Sequence, residues 1–400
     1  MKIVVAHGRY RSSAPSGENV LVDQETEALR TAGHQVVRFE RDSDEITGWS
    51  LADKAMLPAR SVWNGQARAD LAALLETDRP DVLHLHNTFP LLSPSVLAAT
   101  AQAGVPVVAT VHNYKLLCAS GDFFRAGAVC HDCAGGSVSP ALVHGCYRGS
   151  RAATVPVTSS LLLHRDRWRR LVSAFVFISA AQRDAMRALG LPRERVFVKH
   201  NHVPDPGVST TERQHAVVYV GRLDHAKGLP FLLRAWDELR RRRPGSGLRL
   251  HIVGGGPLED EVRRWAEGHP SVDVRGTVSR AEAVRVLARG RAAVVPSQWE
   301  ETFGLVAIEA LAVGTAPLVS DHGSFPELVG ADVGARFAPG SVTGLVDLLA
   351  DVDDRPEVYL AKGSRGRRHY EESFGPERDV EELLEIYRFA VARPVTPGRR

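Results

Sequence analysis

The chain has 400 residues, and at about 100 to 200 residues per domain this length predicts two or three domains with separate cores. Hydrophobic residues make up 44% of the chain and charged residues 24%, which is typical of a folded globular protein and excludes disordered, collagen-like and disulfide-dense classes. The formal net charge of +3 is too small to indicate a nucleic-acid or membrane partner by itself.

The first apolar run, at 2–7, is much too short for a signal-peptide core, and it predicts a strand. The longest later run, at 171–178, is well below the ~18 residues that a membrane-spanning helix needs. We therefore expect a cytoplasmic protein, with the inner face of the membrane as the alternative location.

Short apolar runs alternate with helical segments through the first half. The predicted strands are 2–7, 34–40, 81–86 and 105–112, and the predicted helices are 18–32 and 66–77. Their Val, Ile and Leu content is nearly continuous, which predicts a parallel sheet covered by helices on both faces.

The same alternation begins again in the second half after a polar, Pro-containing linker. The predicted strands there are 216–221, 248–256, 271–276, 292–297 and 315–320, and the linker is 198–215. We expect an α/β fold of two doubly wound, Rossmann-like domains that face each other across a cleft. The predicted domains are 1–204, 205–375 and a C-terminal helix and tail at 376–400 that packs on either domain, with 393–400 disordered.

A strand, a loop and a helix start follow one another at 292–313. The backbone N–H groups of Phe303, Gly304 and Leu305 should point out of the helix start, where anions collect. Glu301 stands before this helix and Glu309 within it, and both suit hydroxyl groups as hydrogen-bond acceptors. Two solvated surface glutamates are the alternative.

The segment GRLDHAKG at 221–228 follows a strand and supplies two cations, Arg222 and Lys227. With the flanking glycines, this spacing suits a diphosphate, whose charge the two cations would neutralise. A simple surface turn is the alternative.

These residues carry a resemblance. The second half resembles the donor domain of the glycosyltransferase B fold, specifically the family 4 retaining (group 1) glycosyltransferases, and the first half is similar to a subgroup of that family with a four-cysteine insertion. The matching runs are 221–228, 252–257, 272–276 and 295–327, with 16–39, 81–95 and 107–118 in the first half.

The resemblance implies transfer of a hexosyl unit from a nucleotide-diphosphate sugar, UDP- or GDP-linked, to a glycan, lipid-linked or small-molecule acceptor. It assigns acceptor binding to the first domain and donor binding to the second. The implied donor-binding residues are Gly17, Arg222, Lys227, Phe303, Gly304, Leu305 and Glu309, and the implied catalytic residues are His112 and Glu301. For His112, a histidine held by packing is the alternative.

The resemblance further implies retention of the anomeric configuration by front-face attack. Arg, Lys and helix N–H groups would take the charge of the leaving group, so that transfer would require no metal ion.

All four cysteines lie in one segment, 118–146, which is rich in glycine. Cys130 and Cys133 form a CxxC pair, and Cys118 and Cys146 flank it at a distance that allows a tetrahedral thiolate site. We predict structural Zn²⁺ on these four residues, with free thiols or a redox pair as alternatives.

His84 and His86 lie on the same face of a predicted strand. A position facing the cleft, or core packing, is favoured over a metal pair. The basic, leucine-containing stretch 148–175 is compatible with peripheral contact to an anionic membrane, but packing on the sheet is favoured.

Two other function classes remain open from the sequence. A sugar-nucleotide epimerase or a phosphorylase on the same fold would also bind phosphate groups. A zinc-containing nucleic-acid-binding protein is a more remote alternative, because the near-neutral charge counts against it; we therefore expect no nucleic-acid partner.

Overall fold

The computed structural model describes residues 1–12, 16–208 and 212–394. It divides into two compact units, the first formed by Met1–Phe123, Cys130–His202 and Pro376–Arg400, and the second by Phe124–Val129 and Val203–Gly375. Most of the tail predicted to be disordered lies outside the described residues.

The strands of the described residues are numbered in chain order. They are β1 Lys2–Arg9, β2 Gln35–Asp42, β3 Val82–Leu85, β4 Val107–Val111, β5 Phe124–Arg125, β6 Ala128–Val129, β7 Ala174–Phe177, β8 Val196–Val198, β9 Ala216–Val220, β10 Arg249–Val253, β11 Val272–Gly276, β12 Ala292–Val295, β13 Ala316–Ser320 and β14 Ala335–Phe337.

The helices are numbered in the same way. They are α1 Gly17–Thr31, α2 Glu45–Gly48, α3 Leu51–Val62, α4 Gly65–Asp78, α5 Val96–Ala103, α6 Ser139–His144, α7 Arg151–Leu171, α8 Ala180–Ala185, α9 Leu229–Arg242, α10 Glu259–Glu267, α11 Arg280–Arg289, α12 Leu305–Ala312, α13 Phe325–Leu328, α14 Val342–Asp354, α15 Pro356–Ser373 and α16 Pro376–Ala392. Short 3-10 turns lie at Arg187–Leu189 and Arg193–Arg195.

The first unit is built on a six-stranded parallel sheet in the order β2-β1-β3-β4-β7-β8. Both faces of its four inner strands, β1, β3, β4 and β7, are buried. In β1, Val4 and Ala6 belong to one core cluster, whereas Ile3 and Val5 belong to another on the opposite face. Helices therefore cover the sheet on both sides, as the unbroken apolar strands predict.

The second unit contains a six-stranded parallel sheet in the order β11-β10-β9-β12-β13-β14. The chain runs outward in one direction from β9 and then in the other from β12. Such a reversal leaves a crevice at the carboxyl ends of the two strands, where doubly wound proteins bind ligands. In the first unit the corresponding reversal lies between β1 and β3.

The last helix, α16, belongs to the first unit. Its apolar residues join the core cluster that contains Ile3 and Val5; they are Val380, Leu383, Ile386, Tyr387 and Ala390. The chain therefore returns to the first sheet after completing the second.

The predicted fold class of two doubly wound α/β domains is confirmed. Strands β7, β8 and β14 and the hairpin of β5 and β6 were not predicted; apart from β7, which has four residues, they are only two or three residues long. A search of the described residues finds no helix of the length and apolarity needed to cross a membrane.

Candidate functional site

The loops after β9 and β12 meet at the strand reversal of the second unit. Gly228 begins α9 with a φ of 74°, and a Cβ there would lie 1.8 Å from the carbonyl oxygen of Pro296. The backbone N–H of Gln298 also donates to the carbonyl of Ala226 over 2.8 Å. Only glycine allows this approach, which joins the loop carrying Arg222 and Lys227 to the loop before α12.

Lys227 and Glu301 form the centre of this site. The ammonium group of Lys227 lies 2.7 Å from Oε1 of Glu301, to which the Ser297 hydroxyl also donates over 2.6 Å. Glu301 is only 5% exposed, so the alternative of a solvated surface glutamate is wrong for this residue. Lys227 additionally lies 5.0 Å from the ring centroid of Trp299, which limits where its ammonium can move.

Arg222 is more loosely held. Its guanidinium contacts Asp224, which also accepts the backbone N–H of Lys227 over 2.8 Å. The side chain of Arg222 is 66% exposed, so this ion pair is screened by water. Both predicted cations are thus paired with a carboxylate, and an anionic ligand would have to share or replace that partner.

Helix α12 starts at the position that the sequence predicts. Gly304 precedes it with a φ of 82°, and a Cβ there would lie 2.4 Å from the ring of Phe325. Phe303 is buried, and the helix starts at Leu305 without a side-chain cap. The first backbone N–H groups of this helix are therefore oriented by the glycine turn and not by a capping side chain.

Glu309 lies one turn farther along α12 and is paired with Arg280 of α11. Nη2 of Arg280 is 2.7 Å from Oε1 of Glu309, so the surface-glutamate alternative is wrong here also. Burial raises the pKa of this carboxyl above its usual value, and the nearby guanidinium opposes that shift. The carboxylate is thus held in one orientation by a cation from the neighbouring helix.

The first unit has a pocket at the carboxyl ends of β3 and β4. Its lining includes His86, His112, Asn113, Lys115 and Trp168. His112 directly follows β4, and its Nε2 lies 2.9 Å from Nδ1 of His86. Burial lowers the pKa of both imidazoles well below 6.5, and neighbouring positive groups lower them further, so both rings are neutral at pH 7.

The loop of Gly17 lies next to this pocket. Gly17 opens α1, with Ser16 accepting the backbone N–H of Glu18 over 3.2 Å. Glu18 in turn accepts hydrogen bonds from the Tyr10 hydroxyl and the Asn113 amide, both over 3.2 Å. The structure therefore brings the glycine loop and the loop of His112 together.

Glu18 was missed from the sequence. Burial raises its pKa to about 7, with Lys115 and the two hydrogen bonds opposing the shift. Its side chain is 8% exposed, and Nδ1 of His7 lies 4.0 Å from its Oε1. A carboxyl group that titrates near neutral pH beside a pocket is a typical property of functional sites.

A buried polar cluster lies behind His86. Oε1 of Glu25 is 3.1 Å from Nδ1 of His84 and 3.4 Å from Nε2 of His86, and its Oε2 is 3.8 Å from Nζ of Lys199. Lys199 also pairs with Asp379 of α16. Sequence reasoning recognised the two histidines but not Glu25, Lys199 or Asp379, which are distant along the chain.

Glu25, His84 and His86 have the geometry of a metal-ligand group, since their ligand atoms lie within 4.8 Å of one another. Both ring nitrogens of His84 are already hydrogen-bonded, however, to Tyr387 and Thr110 over 2.7 Å each. The Lys199 ammonium would also repel a cation. The group is better explained as a buried polar network, in which Nε2 of His86 has no hydrogen-bond partner among the described residues, than as a metal site.

All four cysteines belong to the first unit, and in the described part of the chain no disulfide joins them. Burial raises the pKa of Cys133 to about 11, and the charges of Cys118, Cys146 and Cys130 contribute to the same shift. Among the described residues, the group of three or more ligand atoms within 4.8 Å is that of Glu25, not one formed by the cysteines. The zinc site therefore stays a prediction.

Helix α7, which covers most of the stretch 148–175, packs through Thr154, Val157, Thr158 and His164. It also exposes Val155, Leu162 and Leu163, the last of these at 68%. Packing on the unit, the favoured reading, accounts for one face of this helix. The opposite face presents apolar side chains to solvent.

Comparison with known proteins covers both units. Residues 206–369 match the family described as Glycosyl transferases group 1, and residues 16–202 match the Glycosyl transferase 4-like domain. The glycogen synthase of Mycobacterium tuberculosis is 25% identical over 425 residues, covering 97% of this chain and 94% of the relative. A phosphatidyl-myo-inositol mannosyltransferase of Mycolicibacterium smegmatis is 26% identical, covering 90% and 88% of the two chains.

Two solved structures share the fold. HepE of Anabaena in complex with UDP superposes with a TM-score of 0.69 at 16% identity, covering 96% of this chain and 99% of HepE. Sucrose-phosphate synthase of Thermosynechococcus elongatus gives a TM-score of 0.68 at 17% identity, covering 98% and 99% of the two chains. These matches confirm the predicted fold class of two Rossmann-like domains.

Proposed function

This chain is a glycosyltransferase whose second unit matches the group 1 family, and on that premise we propose that it transfers a hexosyl unit from a nucleotide-diphosphate sugar to an acceptor with retention of configuration. The second unit is the proposed donor-binding domain, and the first unit is the proposed acceptor-binding domain. The observation that carries the proposal is the meeting of Lys227, Glu301 and the glycine turn before α12 at the strand reversal of the second unit.

In this proposal the diphosphate of the donor lies against Arg222, Lys227 and the first N–H groups of α12. Two cations and a helix N-terminus supply the positive potential that a divalent metal ion supplies in other folds. Transfer is accordingly proposed to need no metal ion. Glu301 would accept hydrogen bonds from sugar hydroxyls, and Glu309 would bind the ribose.

The proposed mechanism of retention is front-face attack. The acceptor oxygen forms a bond to the anomeric carbon while the bond from that carbon to the phosphate oxygen breaks, and the departing phosphate takes the proton of the acceptor hydroxyl. Glu301 and Glu309 are each already paired with a cation, which suits them to binding hydroxyls better than to nucleophilic attack. His112 would contact the transferred sugar.

For the nucleotide base of the donor, and for the acceptor, we propose classes of compound. HepE, which shares the fold, binds UDP, and a mannosyltransferase acting on phosphatidyl-myo-inositol is among the relatives. We propose a UDP- or GDP-hexose as donor, and a glycan, a lipid-linked sugar or a small molecule as acceptor. The apolar residues exposed on α7 support peripheral contact with the inner membrane face when the acceptor is lipid-linked.

Structural zinc is a separate part of the proposal. Cys118, Cys130, Cys133 and Cys146 would hold Zn²⁺ as four thiolates, a donor set with no open position and therefore no role in transfer. The sulfur of Cys133 already accepts the backbone N–H of Ala141, an interaction that favours the thiolate. About one zinc per chain with no titratable native thiols supports this assignment, whereas four titratable thiols and no zinc would overturn it.

The decisive experiment is product analysis with UDP- and GDP-hexoses, with and without candidate acceptors. We expect an acceptor-dependent product that keeps the donor's anomeric configuration by NMR, at a rate unchanged by EDTA. Epimerised donor without acceptor would indicate an epimerase, and dependence on inorganic phosphate would indicate a phosphorylase. An inverted product would overturn retention.

A matched pair of variants tests the site. Glu301→Gln removes the charge beside Lys227 and should slow transfer at least tenfold, because the carboxylate would accept hydrogen bonds from the sugar. Glu267→Gln changes an exposed glutamate of the same unit and should leave the rate unchanged. Equal rates in both variants would show that the sugar is bound elsewhere.

A further inference from the structure

The histidine pair of the first unit has a defined hydrogen-bond direction. His86 and His112 are both neutral at pH 7, and their ring planes lie within 20° of each other with centroids 5.2 Å apart. Nδ1 of His86 and Nε2 of His112 are 2.9 Å apart, a hydrogen-bond distance at which only one of the two nitrogens carries a proton. One ring must therefore donate and the other accept, and the choice fixes the tautomer of both.

Glu25 decides that choice. Its Oε1 lies 3.4 Å from Nε2 of His86, a buried nitrogen with no hydrogen-bond partner of its own in the part of the chain that the structure describes, and its Oε2 lies 3.8 Å from the Lys199 ammonium. An ionised carboxylate can only accept, so the proton of His86 is favoured on Nε2. His86 then offers the lone pair of Nδ1 to His112.

We propose that Glu25, acting through His86, is a positioning residue that fixes His112 in the Nε2–H tautomer, so that Nδ1 of His112 accepts a hydrogen bond from a hydroxyl of the substrate. This inference rests on the proposed function, because it takes His112 as the group that meets the transferred sugar. It assigns His112 the role of an acceptor: the ring recognises a hydroxyl donor and does not protonate the leaving diphosphate.

The burial of the network explains why the direction is stable. His84 is fully buried and His86 is 9% exposed, and Glu25 is 8% exposed, so water does not compete for these atoms. The other titratable groups that face the histidine pair are His7, His84 and Lys199, and each disfavours a second proton on it. A proton on Nε2 of His86 thus faces the one carboxylate beside it, and the buried carboxylate orients one imidazole through another.

The test uses the full chain labelled with ¹⁵N-histidine. Long-range ¹H–¹⁵N correlation spectra report the tautomer of each ring, and the signals of His112 are assigned by their loss in His112→Asn. We expect the Nε2–H tautomer for His112 in the unmodified protein. An Nδ1–H tautomer there overturns the proposal, whatever the variants do.

Two variants then remove the relay. Glu25→Gln and His86→Leu should shift His112 toward the Nδ1–H tautomer or a mixture, and should lower kcat/KM roughly 10- to 100-fold, a range typical of residues that orient a functional group. A sugar donor in which fluorine replaces the contacted hydroxyl should be transferred more slowly than the normal donor by the unmodified protein. In the variants, the two donors should be transferred at similar rates.

Tyr387→Phe is the matched control. It removes a hydroxyl that hydrogen-bonds to His84 in the same buried cluster but does not contact His86, so it should keep the tautomer and the rate. Wild-type rates in Glu25→Gln or His86→Leu, despite a changed tautomer, would overturn the positioning role. Absence of transfer by the unmodified protein with every donor would instead count against the proposed function, and the NMR result would stand independently.

Discussion

Charged groups at the two candidate sites are satisfied in opposite ways. In the second unit, Arg222, Lys227 and Arg280 each pair with a carboxylate while their side chains stay 66%, 34% and 42% exposed. In the first unit, Lys199 and Asp379 are 2% and 3% exposed, and His86 and His112 of the same unit are neutral at pH 7. A cation that is partly in water can contact an anionic ligand while it keeps its carboxylate partner, whereas a fully buried pair cannot be separated without leaving a charge unpaired.

The largest expected effect is a loss of stability when the buried ion pair of Lys199 and Asp379 is broken. Lys199→Met leaves Asp379 and Glu25 without their shared cation, and it should lower the free energy of unfolding by about 3–5 kcal/mol. Urea denaturation followed by circular dichroism measures the loss. Lys54→Met, which removes an exposed lysine of the same unit, should change the free energy by less than about 0.5 kcal/mol. Equal losses would show that burial of Lys199 contributes nothing.

The next effect depends on pH and concerns Glu18. Its folded pKa of about 7 lies above the usual 4.5, so the folded chain holds this proton more tightly than the unfolded chain. The carboxyl therefore destabilises the fold progressively as pH rises from about 4.5 to 7, by up to about 3 kcal/mol. Glu18→Gln keeps the acceptor oxygen without the charge, and it should raise the Tm at pH 8 but not at pH 4.5.

The control for this pH profile is Glu27→Gln, an exposed glutamate on the same helix, which should give no pH-dependent difference in Tm. A Glu18→Gln variant whose stabilisation is the same at pH 4.5 and pH 8 would contradict the shifted titration.

The smallest expected effect is on the affinity for nucleoside diphosphates when either Lys227 or Arg222 is replaced. Lys227→Ala should weaken nucleoside-diphosphate binding about tenfold, because it also leaves the buried Glu301 without its cation. Arg222→Ala should weaken binding only about two- to threefold, since its guanidinium is largely in solvent and screened.

Isothermal titration with UDP and GDP at two salt concentrations measures this order. Arg234→Ala, an exposed arginine on α9, serves as the control and should bind like the unmodified chain. A larger loss for Arg222→Ala than for Lys227→Ala would reverse the assignment of the main phosphate contact.

Much of the fold was predictable from the sequence because buried parallel strands have nearly continuous apolar sequences. The strand ending at Val220 and the helix starting at Leu305 were placed within one or two residues. The hairpin at 124–129 and the three-residue β14 were not, since segments of two or three residues carry no periodicity.

The candidate site of the second unit could also be predicted from the sequence, because its residues lie in two short motifs, each of which follows a strand. The ion-pair partners of these residues were not predicted, and Glu18 and Glu25 in the first unit were not predicted either. Glu25 meets Lys199 only through the folded sheet, and a sequence pattern does not report a contact between positions so far apart. The alternation of His84 and His86 was the available signal, and it does not identify Glu25 as their partner.

The return of α16 to the first sheet has a consequence for synthesis. Asp379 and Tyr387, which complete the buried network of the first unit, leave the ribosome after all of Val203–Gly375. The second unit is contiguous apart from its hairpin and can fold while translation continues, but the first must wait until α16 has been synthesised. A nascent chain released before that point would carry Lys199 and Glu25 in an unfinished core, a natural target for chaperones and proteases.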